Sequence, residues 1–277
     1  MAAQLTLVST PIGNLGDLAP RAIEALASAA LICCEDTRRT GRLLQAAGVT
    51  AKRMAVCNEH TERRCVDAVL EVLGDGGSVA LVTDAGTPGI SDPGAVLVRA
   101  VLDAGHEVST VPGPVALIAA LVSSGLPTSR FVFEGFLPRS GPDRRTRLAQ
   151  IAGEPRTIVL YEAPHRLVRT IADLTEACGP DRAVAVAREL TKLYETVVRG
   201  TLGGVELGDP RGEYVIVLGG APAVTAAEVG DDAIAAAVDD ELAGGASTRD
   251  AAARVASTLG VPRRRAYDIA IARPKPP

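Results

Sequence analysis

Polar residues, glycines and prolines gather at five places in the first half of this chain, each directly after a short strand-like run. The longest cluster follows Val79 to Val82, where Thr83, Asp84, Gly86, Thr87, Pro88, Gly89, Ser91, Asp92 and Pro93 crowd into a stretch ending at Gly94. An apolar run that turns at once into glycine, proline and hydroxyls reads as a buried parallel strand delivering a loop. Ligands of open α/β sheets settle beyond the carboxyl ends of the strands. Asp84 and Thr87 therefore stand where a polar ligand group would be met, and Gly86 and Gly89 let backbone amides approach closely. Asp92 or Ser91 is expected to cap a helix with Pro93 at its first position. A plain strand-to-helix connection takes about two to six residues, and this one is longer.

The other clusters repeat the device. Leu5 to Val8 runs into Ser9 to Asp17, where Pro11 fixes the backbone and Gly13 and Gly16 free it. Leu31 to Cys34 delivers Glu35, Asp36, Thr37, Arg38 and Arg39. Helix capping by Asp36 accounts for one acid but not for the whole set. Met54 to Cys57 delivers Asn58, Glu59 and His60. His60 is a candidate base because imidazole exchanges protons near neutral pH. No second histidine or cysteine stands at ligand spacing, so no metal is expected. Glu107 to Thr110 leads into Pro112, Gly113 and Pro114. Neither GxGxxG nor a GKS or GKT phosphate loop is present.

The elements that must carry these loops are alternating strands and helices. The chain has 277 residues, 47% of them hydrophobic, with no Trp, few Phe and Tyr, and a net charge of -4. That composition suits α/β layers with real cores and argues against indiscriminate polyanion binding. Five cysteines without metal spacing read as small core residues in a reducing compartment. No signal peptide or membrane span is read, and the cytoplasm is the expected location. The first α/β domain is expected over residues 1–125. A second, unlike one over 126–220 has strands at Phe131 to Phe136, Thr157 to Tyr161, Ala183 to Ala187 and Glu213 to Leu218. Leu137 to Gln150 reads as a flexible basic segment. Residues 221–277 form a helical tail: Ser247 and Asp250 begin one helix, Gly260 ends it, and Pro262 starts another bearing Arg263, Arg264 and Arg265. This tail is a candidate RNA-contact element, and a solvated basic surface explains it equally well.

STPIGNLGDL (from Ser9), CEDTRRTGRLL (from Cys34), NEH (from Asn58), LVTDAGTPGISDPG (from Leu81), VPGPVALIAAL (from Val111), LYEAPHRL (from Leu160), RELTKLYE (from Arg188) and RGEYVIVLGG (from Arg211) follow in this order. Together they resemble the bacterial ribose 2'-O-methyltransferases of small-subunit ribosomal RNA within the tetrapyrrole methylase superfamily. The resemblance covers nearly the whole chain. It implies a tetrapyrrole methylase-like fold with the cofactor cleft between two α/β domains, and a homodimer that uses S-adenosylmethionine. The implied substrate is the ribose 2'-hydroxyl of one cytidine in the 16S rRNA decoding region, within the assembled 30S subunit. It assigns cofactor contacts to Pro11, to Asp84, Gly86 and Thr87, to Pro114 and Val115, and to Leu160, Tyr161, Glu213 and Tyr214.

An RNA substrate of this size requires phosphate contacts, for which Arg38, Arg39, Arg42, Arg144, Arg145, Arg147, Arg263, Arg264 and Arg265 are the candidates. A ribose hydroxyl must be aligned and relieved of its proton. Glu35, Asp36, Arg38, Glu59 and His60, with Lys192 and Glu195 from the second domain, are the candidate catalytic residues. Glu35, Glu59 or His60 would accept the proton. The rival expectations are a methyltransferase acting on a tetrapyrrole and a ribosome-binding module without activity.

Overall fold

The computed structural model describes residues 3–58, 61–222 and 229–273. They form two compact units, 1–221 and 222–277. In the first unit, strands β1 (Gln4–Val8), β2 (Leu31–Cys34), β3 (Met54–Val56), β4 (Val79–Leu81) and β5 (Glu107–Val111) make an all-parallel sheet in the order β3-β2-β4-β1-β5. Parallel strands need crossovers, which are supplied by α1 (Pro20–Ser28), α2 (Thr37–Ala46), α3 (Glu62–Gly74) and α4 (Ala95–Asp103). One core lies on each face: Leu5, Leu31, Leu81 and Leu97 with Val69 on one, Val8, Leu26, Ile32 and Leu44 on the other. Cys33, Cys34, Cys57 and Cys65 are buried free thiols. Because all five strands run the same way, their loops emerge at one edge.

A second sheet follows α5 (Ala116–Ser123). It contains β6 (Phe131–Phe136), β7 (Thr157–Glu162), β8 (Ala183–Arg188), β9 (Thr196–Thr201) and β10 (Tyr214–Leu218), with α6 (Gly141–Gly153) and α7 (Pro164–Cys178). Its order is β6-β7-β10-β8-β9, with only β6 and β7 parallel. Leu160, Leu167, Leu174 and Ile216 fill the outer face against α6 and α7. The inner face, with Val159, Ala185, Ala187, Val215 and Val217, packs on Leu117, Ala120 and Leu121 of α5 and on Ile12.

One expectation needs correction. The basic segment from Leu137 is ordered: Gly141–Gly153 is a helix with Pro142 in its first turn, anchored by Leu148 and Ile151. Strand β9 carries no sequence signal, because its residues are largely exposed on a sheet edge and show no apolar alternation.

Among the described residues, the second unit has three helices, α8 (Asp231–Ala243), α9 (Thr248–Leu259) and α10 (Arg263–Ile271), clustered around Ile234, Val238, Val255 and Ala266. Ser247 caps α9 by accepting from the Asp250 amide at 3.1 Å, and Gly260 ends it in the left-handed conformation. No helix among the described residues is long and apolar enough to cross a membrane.

Candidate active site

The strand-end loops of the parallel sheet are laced together before any ligand is considered. The Thr10 and Gly86 backbones exchange hydrogen bonds at 2.8 and 3.1 Å, joining the loops after β1 and β4. Gly86 has φ +88, which a side chain disfavours, and this lets the main chain turn there. Ser9 Oγ and Thr87 Oγ1 lie 2.8 Å apart, and Thr87 Oγ1 also donates to the Pro114 carbonyl at 3.3 Å, bringing in the loop after β5. The Asp84 amide donates to Glu35 Oε1 at 2.9 Å, bringing in the loop after β2.

These loops and the inner side of the second sheet form a half-open cavity of about 350 Å³. Its apolar walls include Ile12, Ile90, Val115, Ala187, Leu190 and Val215. Glu35, Arg39, Asp84 and Asp92 line one side, and Tyr161, Glu162, Glu213 and Tyr214 the other. Tyr161 is braced by Phe133 and Phe136, with ring centroids 4.9 and 5.8 Å away, and its hydroxyl accepts from the Leu117 amide at 3.2 Å.

The electrostatics of the first wall are those of crowded acids. Burial, then the neighbouring Glu35 and Asp84, push the Asp92 carboxyl up to about 7. Burial also raises Glu35, against the hydrogen bond from the Asp84 amide. Arg39 pairs with Asp84 Oδ2 at 3.2 Å, while Asp84 Oδ1 is buried with no hydrogen-bond partner among the described residues. A buried acceptor left open at the edge of a cavity rich in carboxylates calls for a ligand that brings a donor and positive charge.

Sequence reasoning brought together Glu35, Asp84, Gly86, Thr87, Val115, Tyr161, Glu213 and Tyr214, all at or beside this cavity. Pro114 contributes its carbonyl to Thr87. Pro11 is not in the lining, whereas its neighbour Ile12 is. Leu160 points into the outer core, since adjacent strand residues face opposite ways and Val159 and Tyr161 take the inner side. The Tyr214 ring is also in the outer core, so that residue offers the cavity its main chain.

Asp36 caps α2 through the Arg38 amide at 2.8 Å and also pairs with the Arg38 guanidinium, so both residues stand outside the cavity. Lys192 bridges Glu189 and Glu213 at 2.8 and 2.9 Å. Burial works against its charge, but these two carboxylates raise its pKa. The backbone around it is strained, with Glu189 at φ 50 and Thr191 at φ 66. A Cβ on Gly13 would collide with the Lys192 side chain, so the first loop and this one are in contact. Glu195 accepts from the Thr191 amide and braces the same loop. Glu59 and His60 lie outside the described residues.

The expected cap on α4 is also corrected. Neither Ser91 nor Asp92 caps it; Gly94 is its N-cap residue, and the buried Glu62 carboxylate accepts from the Gly94 and Leu97 amides at 2.9 and 3.0 Å. Asp92 is thereby released from a capping role and faces the cavity, beside Ser91 at φ 61. Sequence reasoning did not assign it chemistry. The signal was the Asp-Pro-Gly ending of a loop too long for its connection.

Among the expected RNA-contact residues, Arg144 is only 3% exposed, and its donors are committed to Asp173 (2.7 Å), the Pro138 carbonyl (2.8 Å) and Thr170 (3.0 Å). Arg147 pairs with Glu134. Arg42 and Arg145 are exposed. In the second unit Arg263 and Arg264 are exposed, and Arg265 pairs with Asp231.

A parallel sheet that gathers its loops against a mixed sheet defines a class, and the comparisons agree. The family described as Tetrapyrrole (Corrin/Porphyrin) Methylases matches residues 4–206. The crystal structure of the methyltransferase CobJ superposes with a TM-score of 0.61 at 23% identity, covering 79% of this chain and 94% of that one. Uroporphyrin-III C-methyltransferase from Thermus thermophilus, complexed with S-adenosyl homocysteine, gives 0.54 at 20% identity, covering 78% and 97%.

Within that class the chain belongs to the ribosomal RNA small subunit methyltransferase I family. The Synechocystis sp. member is 44% identical over 271 residues, 96% of this chain and 97% of its own length. The Pseudomonas aeruginosa member is 43% identical, covering 98% of each chain, and the Mycobacterium tuberculosis member is 42% identical, covering 96% and 94%.

Proposed function

We propose that this cleft transfers a methyl group from S-adenosylmethionine to small-subunit ribosomal RNA, on the ribose 2'-hydroxyl of one cytidine in the decoding region. The observation that carries the reading is the acid-lined cavity with its open Asp84 Oδ1, in a chain so similar along its length to ribosomal RNA methyltransferases. Those residues fit S-adenosylmethionine: Asp84 would accept from a donor such as its ammonium, the Glu35, Asp84 and Asp92 group would suit its positive charge, and the apolar wall would suit its adenine. When bound it supplies a methyl group on a cationic sulfur, already a good leaving group.

The chain's own residues have three tasks. Asp84, with Arg39 steadying its other oxygen, and the Gly86 and Thr87 loop hold and orient. The ring of Tyr161 and the side chains of Ile90 and Leu190 exclude water. Asp92 or Glu35 accepts the ribose proton, each being a carboxyl whose raised pKa brings it nearer the operating pH. Lys192 sets the mouth of the cleft through Glu213.

The working form is taken to be a homodimer acting on the assembled 30S subunit in the cytoplasm, supported by the family resemblance. The test is methylation of 30S subunits lacking the modification, with the product nucleoside identified by mass spectrometry. A 2'-O-methylcytidine supports the reading. Methyl transfer only to a precorrin or uroporphyrinogen, or no transfer to any acceptor, overturns it.

A further inference from the structure

A second concavity lies on the outer side of the second sheet, beside the turn that closes the methyl-transfer cavity. It is lined by Arg139, Arg144, His165, Arg166, Arg169 and Thr170. Glu162, Ala163 and Pro164 line the first cavity, and His165 and Arg166 follow them directly in the chain and line the second.

The charges here do not balance. Four arginines face two carboxylates: Glu162 pairs with Arg166 at 3.2 Å, and Asp173 is shared by Arg144 at 2.7 Å and Arg169 at 3.7 Å. Arg139 and His165 are exposed and have no ion-pair partner among the described residues. The floor is rigid, because the buried Arg144 ties Pro138, Thr170 and Asp173 together. Its fixed positive charge therefore stays under the basin.

We propose that this basin binds a backbone phosphate of the substrate RNA next to the nucleotide presented to the cleft, with Arg139 and Arg169 as the contacting groups and Arg144 as the positioning residue beneath them. Arginine suits the task because its planar fork matches phosphate oxygens. The inference rests on the RNA-methyltransferase reading. It moves the expected phosphate contact away from the buried Arg144 to exposed residues that charge counting in the sequence passed over.

The experiment is steady-state methylation of 30S subunits by the full-length protein at several salt concentrations, with wild type, Arg139→Ala, the double variant Arg139→Ala/Arg169→Ala, and Arg99→Ala on α4 as a control. The double variant should raise KM for the subunit roughly 10-fold, with a smaller change in kcat and unchanged affinity for S-adenosylmethionine by calorimetry. The salt dependence of kcat/KM should become shallower by about one to two in log–log slope. Arg139→Lys should recover part of the loss. Both arginines are exposed and Asp173 keeps Arg144, so the fold should persist. An unchanged KM and salt slope in the double variant, with an active wild type, overturns the phosphate site and leaves the function standing. A wild type that methylates no small-subunit RNA overturns the function itself.

Discussion

The two walls of the cleft reach the same place by different means. On the parallel-sheet side, four loops converge because all five strands point one way, and main-chain bonds such as Thr10 to Gly86 hold them. On the mixed-sheet side no such edge exists. The wall is built from an inner face with an aromatic brace around Tyr161 and from a strained loop held by the Glu189, Lys192 and Glu213 bridges. The first wall has acids with little to neutralise them, and the second has acids that are paired. Ligand charge should therefore be read by the first wall, and shape by the second.

The sharpest way to break that contrast is to remove the open acceptor. Asp84→Ala should weaken S-adenosylmethionine binding about 100-fold, a loss of roughly 2–3 kcal/mol typical of a charged hydrogen bond, as measured by calorimetry. Lys192→Ala on the opposite wall should cost about 10-fold or less. Equal losses would erase the distinction.

Asp92→Asn comes next. The single-turnover methylation rate of wild type should rise with pH to a plateau, with a midpoint below the value of about 7 that Asp92 has in the ligand-free protein, because a bound cation favours its ionised form. The variant should be about 100-fold slower at pH 8 and lack that rise. Stability gives an independent reading of the same group. Its pKa is raised in the folded protein, so the folded state holds the proton more tightly and loses stability as pH climbs from the ordinary carboxylate range to about 7. Thermal melts should therefore show Asp92→Asn more stable than wild type at pH 8, with the gap closing below about pH 4.

A smaller effect is expected at Glu62. Glu62→Ala leaves the Gly94 and Leu97 amides without their acceptor and should cost about 2 kcal/mol by denaturant titration. Smallest is Tyr161→Phe, which removes one hydrogen bond between the walls and should cost about 1 kcal/mol. If Tyr161→Phe proved the more damaging of the two, the mixed-sheet wall would matter more to stability than this comparison allows.

Much of this was legible in the residues, and the reasons for the gaps are physical. The parallel strands announce themselves because a strand buried on both faces is a continuous apolar run, and its loop begins where the run stops. That same uniformity hides orientation: in Thr157 to Glu162 the apolar letters cannot say that Tyr161 faces the cleft and Leu160 the outer core. Strand β9 lacked a pattern because it is an exposed edge. Charge letters misled at Arg144, since an arginine with a buried partner network is written like a solvated one. By its letters alone Asp92 reads as a cap, because the group that caps α4, Glu62, lies about 30 residues earlier in the chain and meets it only through the fold.

Helix α5 has a consequence for folding and modularity. It follows the last strand of the parallel sheet, yet Leu117, Ala120 and Leu121 are buried against the inner face of the mixed sheet. The border between the two halves therefore runs through a shared core rather than a linker. Neither half can be cut free without exposing leucines on one side and a bare apolar sheet face on the other, so a fragment ending near residue 125 should aggregate instead of folding. The two sheets of the first unit should therefore unfold together, giving coincident transitions by probes placed in either half.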